Sequence, residues 1–183
     1  MAAQPLNLPG LDSASAESGA LHILYGLVLY LRPALIVEAG TYRGHASCVM
    51  GGALRDGGID GEVWTADVEG YDATETVERN GLVDHVRLFH GDFVDMLDGP
   101  LGSRRPRIAF IDSGAVYAED GQMLPCEPGL RIRHVRAALR AVAPRGLVVV
   151  DDASGQWDGV EGLRGQASLY LSQGRGLAIV QRD

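Results

Sequence analysis

Short apolar runs alternate with longer amphipathic segments along this chain, and the alternation predicts its fold. The short runs predict strands at 35–39, 62–68, 86–89, 107–111, 147–150 and 176–181. The longer segments predict a helix ending at residue 31 and others at 45–56, 72–80, 93–98, 130–142 and 159–171. Strands that alternate with helices are typical of a parallel sheet. The pattern therefore predicts an α/β fold, a three-layer sandwich whose mostly parallel central sheet carries helices on both faces.

The turn after the first predicted strand has the composition of a ligand-binding turn. The buried run 35–39 includes Glu38, and Gly40 and Gly44 follow it where the next helix opens. Glycines let the backbone approach a ligand closely, and the helix N-terminus offers unpaired N–H groups. The spacing E-x-G-x-x-x-G is neither the G-x-G-x-x-G of dinucleotide enzymes nor a lysine-bearing P-loop.

Acidic residues stand at the carboxyl ends of five predicted strands. In open α/β sheets, ligands bind outside these strand ends, so we expect the acids to line one site. The alternative is that Asp is common where strands stop and helices are capped. The acids are Glu38, Asp67, Asp92, Asp112 and the pair Asp151 and Asp152.

In order and spacing, these motifs resemble S-adenosylmethionine-dependent methyltransferases over residues 33–160. The resemblance is to the small metal-linked O-methyltransferases of the catechol, caffeoyl-CoA and macrocin type. It implies a Rossmann-like domain that binds S-adenosylmethionine, with the Asp67 carboxylate accepting from the ribose hydroxyls. The implied cofactor-binding residues are Glu38, Gly40, Thr41, Tyr42, Gly44, Asp67, Gly91, Asp92 and Phe93.

The acids after the fourth and fifth main strands form a candidate metal site. Asp112 and Asp151 end segments expected to be neighbouring strands, about 4.8 Å apart, and Asp152 adds a third carboxylate. Crowded carboxylates repel one another unless a cation neutralises them. A hard divalent ion such as Mg²⁺ prefers oxygen ligands, and the resemblance implies such an ion here. The alternative is that Asp151 and Asp152 cap the following loop.

The chain departs from the resemblance at the expected general base. In those relatives the third residue past the strand-four aspartate is often a lysine or histidine, whereas here it is Ala115. Tyr117 keeps the family's tyrosine two positions further on. The chain contains no lysine, since every one of its 16 cationic side chains is an arginine.

Several groups could replace the missing base. His45, His90 and His134 are candidates from other elements, and a metal-bound hydroxyl could ionise without a protein base. A lone histidine is more often structural than catalytic, and the ordinary pKa of tyrosine is about 10. We nevertheless predict Asp112, Tyr117 and His45 as the catalytic residues.

Composition limits the partners and the location. A length of 183 residues predicts one domain, 1–183, with a loose arm at 1–11 and a lid or substrate loop at 113–129. A net charge of −8 argues against nucleic acids and anionic membranes. The apolar segment 20–31 is shorter than the about 20 residues that span a bilayer. Two cysteines and no secretory signal predict the cytoplasm.

The sequence therefore predicts methyl transfer from S-adenosylmethionine to a hydroxyl group of a small molecule, assisted by a divalent metal. One alternative is a non-catalytic or degenerate protein of the same fold that binds the cofactor, which Ala115 favours. A second is a nicotinamide-dependent oxidoreductase, although the chain lacks its glycine motif. The chain carries one predicted helix ahead of the first strand, so the site is either open or completed by a second subunit of a homo-oligomer.

Overall fold

The computed structural model of the chain describes residues 5–8, 16, 18–69, 73–114, 116–117, 123–124, 129–153, 169–172 and 175–183. Ala115, where the sequence lacks the expected base, and the segment 159–168 of the last predicted helix lie outside this set. The side chains of 116–117 and 123–124, including that of Tyr117, also lie outside it.

The helices begin and end at residues that the sequence marks. The helices are α1 (Ser18–Leu31), α2 (His45–Asp56), α3 (Thr74–Arg79), α4 (Phe93–Asp98) and α5 (Leu130–Ala141). Helix α1 stops just before Pro33, because a proline pushes the residue before it out of the helical region. Gly44 precedes α2 with φ of +79°, and the Asp92 carboxylate caps α4 by accepting from Val94 N at 2.8 Å.

The main sheet is largely parallel and has the order β3-β2-β1-β4-β7-β9-β8. Its strands are β1 (Leu35–Ala39), β2 (Glu62–Asp67), β3 (Val86–His90), β4 (Ile108–Ile111), β7 (Leu147–Asp151), β8 (Leu169–Leu171) and β9 (Leu177–Gln181). The order reverses direction at β1, with β2 on one side and β4 on the other, both parallel to it. This switch point is where open α/β sheets bind ligands, so the fold confirms the expected architecture.

Two predictions about the second half of the chain need correction. Residues 169–171 form β8, an antiparallel partner of β9, and not the end of a helix over 159–171. The hydrogen bonds to β9 decide this, since Leu169 pairs with Ile179 and Leu171 with Leu177. The predicted loop 113–129 also contains a small antiparallel sheet of β5 (Val116–Tyr117) and β6 (Met123–Leu124).

Two apolar clusters fill the two faces of the sheet. Alternate residues of each strand face opposite layers, so Ile36 packs against the α1 and α2 layer whereas Val37 packs against the α4 and α5 layer. Leu6 and Leu8, within the predicted arm, pack against the first cluster. In the part of the chain that the structure describes, no helix is both long and apolar enough to cross a membrane.

Candidate active site

The turn after β1 lies directly against the end of β4. Gly40 has φ of +96°, and its N–H donates to the Ala66 carbonyl at 2.9 Å. A Cβ on Gly40 would lie 2.5 Å from the carbonyl oxygen of Asp112. Both the left-handed backbone and the close approach therefore require glycine at this position.

A cleft at this turn joins predicted cofactor residues to predicted catalytic residues. The ends of β1 and β4 supply its acidic groups, and most of its other residues come from the turn after β1 and from the first turn of α2. The cleft is lined by Ala16, Glu38, Gly40, Thr41, Tyr42, His45, Ala46 and Asp112. The structure thus brings His45 and Asp112 together with the predicted methionine end of the cofactor site.

Glu38 is a buried acid whose contacts in the described structure are to neutral groups. Its side chain faces the α2 layer, where the Ser47 hydroxyl donates to its Oε2. It is 1% exposed. Burial raises the pKa of Glu38 to about 7, although the Ser47 and Thr65 hydroxyls lower it. No salt bridge joins Glu38 to another described residue.

Asp67 is held in place by backbone amides and keeps capacity for a ligand. Its Oδ2 accepts from Tyr42 N at 2.8 Å, and its Oδ1 accepts from Glu69 N at 2.9 Å. A carboxylate offers about four lone-pair positions, so acceptor sites remain on both oxygens. Nearby, the Thr41 and Thr65 hydroxyls share a hydrogen bond of 2.6 Å and fix the turn from inside.

Most of the hydrogen-bonding capacity of the Asp92 carboxylate is taken up by other groups of the protein. Besides capping α4, it receives two hydrogen bonds from Arg133, at 3.2 Å on Oδ1 and 2.8 Å on Oδ2. Burial acts to raise the pKa of Asp92, but the hydrogen bonds from Arg133 and Val94 N outweigh it and hold that pKa below its ordinary value. The Phe93 ring is 1% exposed and packs against His134 at 5.4 Å. An adenine contact from Gly91, Asp92 or Phe93 stays a prediction.

The three candidate histidines have different positions. His45 is buried and lines the cleft. His134 is buried on α5, where its Nδ1 is 2.7 Å from the Ser113 hydroxyl and its Nε2 is 3.4 Å from Asp92 Oδ2. Burial lowers the pKa of His134, against the opposing effect of Asp92. His90 is exposed at the end of β3. Of these three histidines, His45 is the one that lines the cleft, and its role as proton acceptor stays a prediction.

The three predicted metal ligands do converge, but two arginines converge with them. Arg131 Nη2 lies 3.7 Å from Asp112 Oδ1 and 3.6 Å from Asp152 Oδ2. Arg175 Nε lies 2.8 Å from Asp152 Oδ1, and its Nη2 lies 3.8 Å from Asp151 Oδ2. Each carboxylate of the cluster therefore has a guanidinium group within salt-bridge distance.

The arginines offset only part of the cost of burying these acids. Burial, and then the charge of Asp151, raise the pKa of Asp112 well above its ordinary value, while Arg131 opposes the rise. Burial and the charge of Asp152 raise the pKa of Asp151 to about 6. Among the residues the structure describes, no group of three His, Cys, Asp or Glu side chains is arranged to hold a metal. The donor set with its arginines does not fit a divalent cation.

The sequence analysis missed Ser47, Arg131 and Arg175 as site residues. One signal was available for Arg131, which is the second residue of α5. A cation is unfavourable in the first turn of a helix because the helix dipole is positive there. An arginine at that position therefore indicates acidic partners from elsewhere in the fold. For Ser47 and Arg175 the sequence offers no comparable signal.

Comparison with known families yields a match over most of the chain. A family model described as a methyltransferase domain matches residues 37–153, which include the end of β1, the glycine turn and the acid cluster. No curated protein sequence matches the chain.

Solved structures share the fold at low sequence identity. An O-methyltransferase from Bacillus cereus in complex with SAH has a TM-score of 0.71 and 18% identity, covering 94% of this chain and 84% of that one. The O-methyltransferase TomG from Streptomyces achromogenes, in complex with SAM, has a TM-score of 0.69 and 19% identity with the same coverage. An SAH-bound methyltransferase from Podospora anserina has a TM-score of 0.67 and 17% identity, covering 97% and 91%. At such identities these likenesses establish the fold alone.

Proposed function

The chain belongs to the methyltransferase domain family, and from that premise we propose that it transfers the methyl group of S-adenosylmethionine to a hydroxyl group of a small molecule. Dependence on S-adenosylmethionine follows from the family; the hydroxyl acceptor and the residue roles are our proposal. The family match also decides against the nicotinamide-dependent alternative, whose glycine motif the turn after β1 lacks.

The cleft at the glycine turn is the observation that carries this proposal. It is lined by Glu38 and Gly40, which we assign to cofactor binding. It is also lined by His45 and Asp112, which we assign to catalysis. A methyl donor and a proton acceptor need to meet within about 3–3.5 Å of the reacting oxygen. A single cleft lined by both kinds of group supports that arrangement.

The cofactor half of the site binds by shape and by charge. When bound, S-adenosylmethionine supplies an electrophilic methyl group on a sulfonium centre. Gly40 admits the ligand close to the backbone, and Glu38 compensates the positive charge of its methionine end. Asp67, fixed by the Tyr42 and Glu69 amides, accepts from the ribose hydroxyls with its remaining lone pairs.

The acceptor half of the site removes one proton from the acceptor hydroxyl. The acceptor hydroxyl loses its proton to His45 as its oxygen forms a bond to the methyl carbon, and the carbon–sulfur bond breaks in line. Asp112 lines the same cleft as His45, and we assign it the role of orienting the acceptor oxygen. We also assign Tyr117 and the predicted lid at 113–129 to the acceptor half, as the sequence predicted.

The sequence also predicted a cellular location, partners and a metal. A net charge of −8 and two cysteines support a cytoplasmic protein without nucleic-acid partners, and a homo-oligomer that completes the site stays a prediction. The divalent metal that the sequence predicted at Asp112, Asp151 and Asp152 is not part of the proposal. Because Arg131 and Arg175 stand among those acids, we assign the metal no step.

The proposal is tested by following tritiated methyl groups from S-adenosylmethionine into a panel of phenols, catechols and sugars. We expect label in an O-methyl product, and we expect His45→Gln to lower kcat by about 100-fold or more, as loss of a general base does. Asp84→Asn, at an exposed turn before β3, is the matched control and should leave kcat unchanged. Loss of activity in this control to the same degree would contradict the role of His45.

The second candidate is a protein that binds the cofactor without catalysis, favoured by alanine at position 115. It predicts that S-adenosylmethionine binds while no acceptor of the panel receives label. Turnover that falls on Asp112→Asn would reject this candidate, since a non-catalytic protein has no turnover to lose.

A further inference from the structure

Arg131 reaches the acid cluster from the first turn of α5 and is almost fully enclosed there. Its side chain is 2% exposed. One terminal nitrogen, Nη2, lies between Asp112 and Asp152, at 3.7 and 3.6 Å from their nearest oxygens. The other, Nη1, donates to the backbone carbonyl of Asp151. Arg131 thus contacts both strand ends, β4 and β7, at once.

Arg175 completes the charge compensation from the turn before β9. Its side chain is 33% exposed, and it pairs with Asp152 and Asp151 on the outer side of the cluster. Three carboxylates therefore face two guanidinium groups. Since Asp151 is 1% exposed and Asp112 14% exposed, most of this compensation takes place away from bulk water, where charge–charge interactions are strong.

A divalent cation would compete with Arg131 for the same oxygens. Mg²⁺ or Ca²⁺ would need to lie about 2.0–2.6 Å from several oxygens of the cluster. A guanidinium within 4 Å of those oxygens would then lie close to the metal, and the two cations would repel each other in a poorly solvated site. The positions of the acids favour a metal, whereas the position of the arginine excludes one.

We propose that Arg131 takes the place of a divalent metal in this cluster, so that methyl transfer by this chain requires no divalent cation. Arg131 is a positioning residue: it holds Asp112 at the edge of the cleft, where the Asp112 backbone abuts Gly40. The statement about methyl transfer rests on the proposed function. The statement that Arg131, and not a metal, occupies the acid cluster does not. An arginine in this role also accounts for its unfavourable place in the first turn of α5.

The test is a titration of the full chain with Mn²⁺, followed by electron paramagnetic resonance, in wild type, three arginine variants and Asp112→Asn. We expect wild type to bind Mn²⁺ weakly, and Arg131→Met to bind it about tenfold more tightly or better, because the uncompensated carboxylates then attract a cation. Arg131→Lys keeps the charge and should behave as wild type. Arg136→Met, at an exposed position of the same helix, is the matched control and should also behave as wild type.

Two results would overturn the proposal. One is tight binding of Mn²⁺ by wild type that is lost in Asp112→Asn. The other is a folded Arg131→Met protein that binds Mn²⁺ no better than wild type. If Arg131→Met does not fold, the wild-type protein is used to test the proposal. Its methyl transfer should continue in excess EDTA. A loss of methyl transfer in EDTA that added Mg²⁺ restores would contradict the proposal.

Calorimetry with S-adenosylmethionine on the same samples separates this proposal from the function. A wild-type chain that does not bind S-adenosylmethionine contradicts the proposed function. The Mn²⁺ titration would still decide what occupies the acid cluster, since it needs neither cofactor nor turnover.

Discussion

Two acidic regions lie side by side at the carboxyl edge of the sheet, and the protein compensates them differently. At the ends of β1 and β2, Glu38 and Asp67 receive hydrogen bonds from neutral donors, the Ser47 hydroxyl and backbone amides. At the ends of β4 and β7, the acids are paired with Arg131 and Arg175. Neutral donors fix a carboxylate without cancelling its charge, so the first region is suited to a cationic ligand. In the second region, two arginines of the protein already supply positive charge.

The two regions meet where Gly40 abuts Asp112, and this contact should give the largest effect of any single substitution discussed. We expect Gly40→Ala to lower the free energy of unfolding by about 4 kcal/mol, from a left-handed φ and from overpacking. Gly58→Ala, also at positive φ but in open space, should cost only about 1 kcal/mol. Urea denaturation measures both. Equal costs would show that the close approach between β1 and β4 does not matter.

The neutral compensation of Glu38 predicts a pH effect on stability. Its pKa of about 7 in the folded protein lies above the ordinary 4.5, so the folded state holds a proton that the unfolded state releases first. The contribution of Glu38 to the free energy of unfolding should therefore fall by about 3 kcal/mol as pH rises from 4.5 to above 7. Glu38→Gln should lack this contribution, and so lose less stability than wild type, although it should bind the cofactor more weakly. Unfolding curves at pH 5 and pH 8 check the difference, and parallel pH profiles for the two proteins would contradict it.

Asp67 should matter for the cofactor more than for the fold. Asp67→Ala removes the acceptor of the ribose hydroxyls and should weaken binding of S-adenosylhomocysteine by about 100-fold, within the range for hydrogen bonds to a charged group. Asp60→Ala, at an exposed position just before β2, is the control and should bind normally. Equal affinities for the two variants, measured by calorimetry, would remove Asp67 from the site.

The smallest effect is expected outside both regions. Glu75 and Arg79 form an i,i+4 pair on α3, with side-chain exposures of 80% and 39%. Arg79→Ala should change the free energy of unfolding by about 0.5 kcal/mol or less. It should not alter cofactor affinity. A larger effect in thermal unfolding would mean that surface pairs, and not the edge of the sheet, dominate the electrostatics of this protein.

The strand, turn and helix of the first region could be predicted from the sequence, because the signals for these elements are local. The structure gives β1 and α2 the bounds that the apolar run and the glycines of the turn predicted, Leu35–Ala39 and His45–Asp56. Asp67 ends β2 as expected, and its partners Tyr42 and Glu69 lie in the adjoining turns. Strand periodicity and turn chemistry are properties of short segments, so they can be seen without the fold.

The second region could be predicted only in part, since its contacts connect distant segments. The convergence of Asp112 and Asp151 follows from parallel strands, but the arginines that meet them come from α5 and from the turn before β9. The strand β8 was missed for the same reason: its pairing with β9, not its own sequence, makes residues 169–171 extended. The sequence indicated how many acids gather there, but not which cation meets them.

Calorimetric titration of the full chain with S-adenosylmethionine tests the central claim most directly. The account predicts one binding site per chain, competition by S-adenosylhomocysteine, and undiminished binding in the presence of EDTA. No heat of binding, together with no rise in Tm on addition of either ligand, would contradict it.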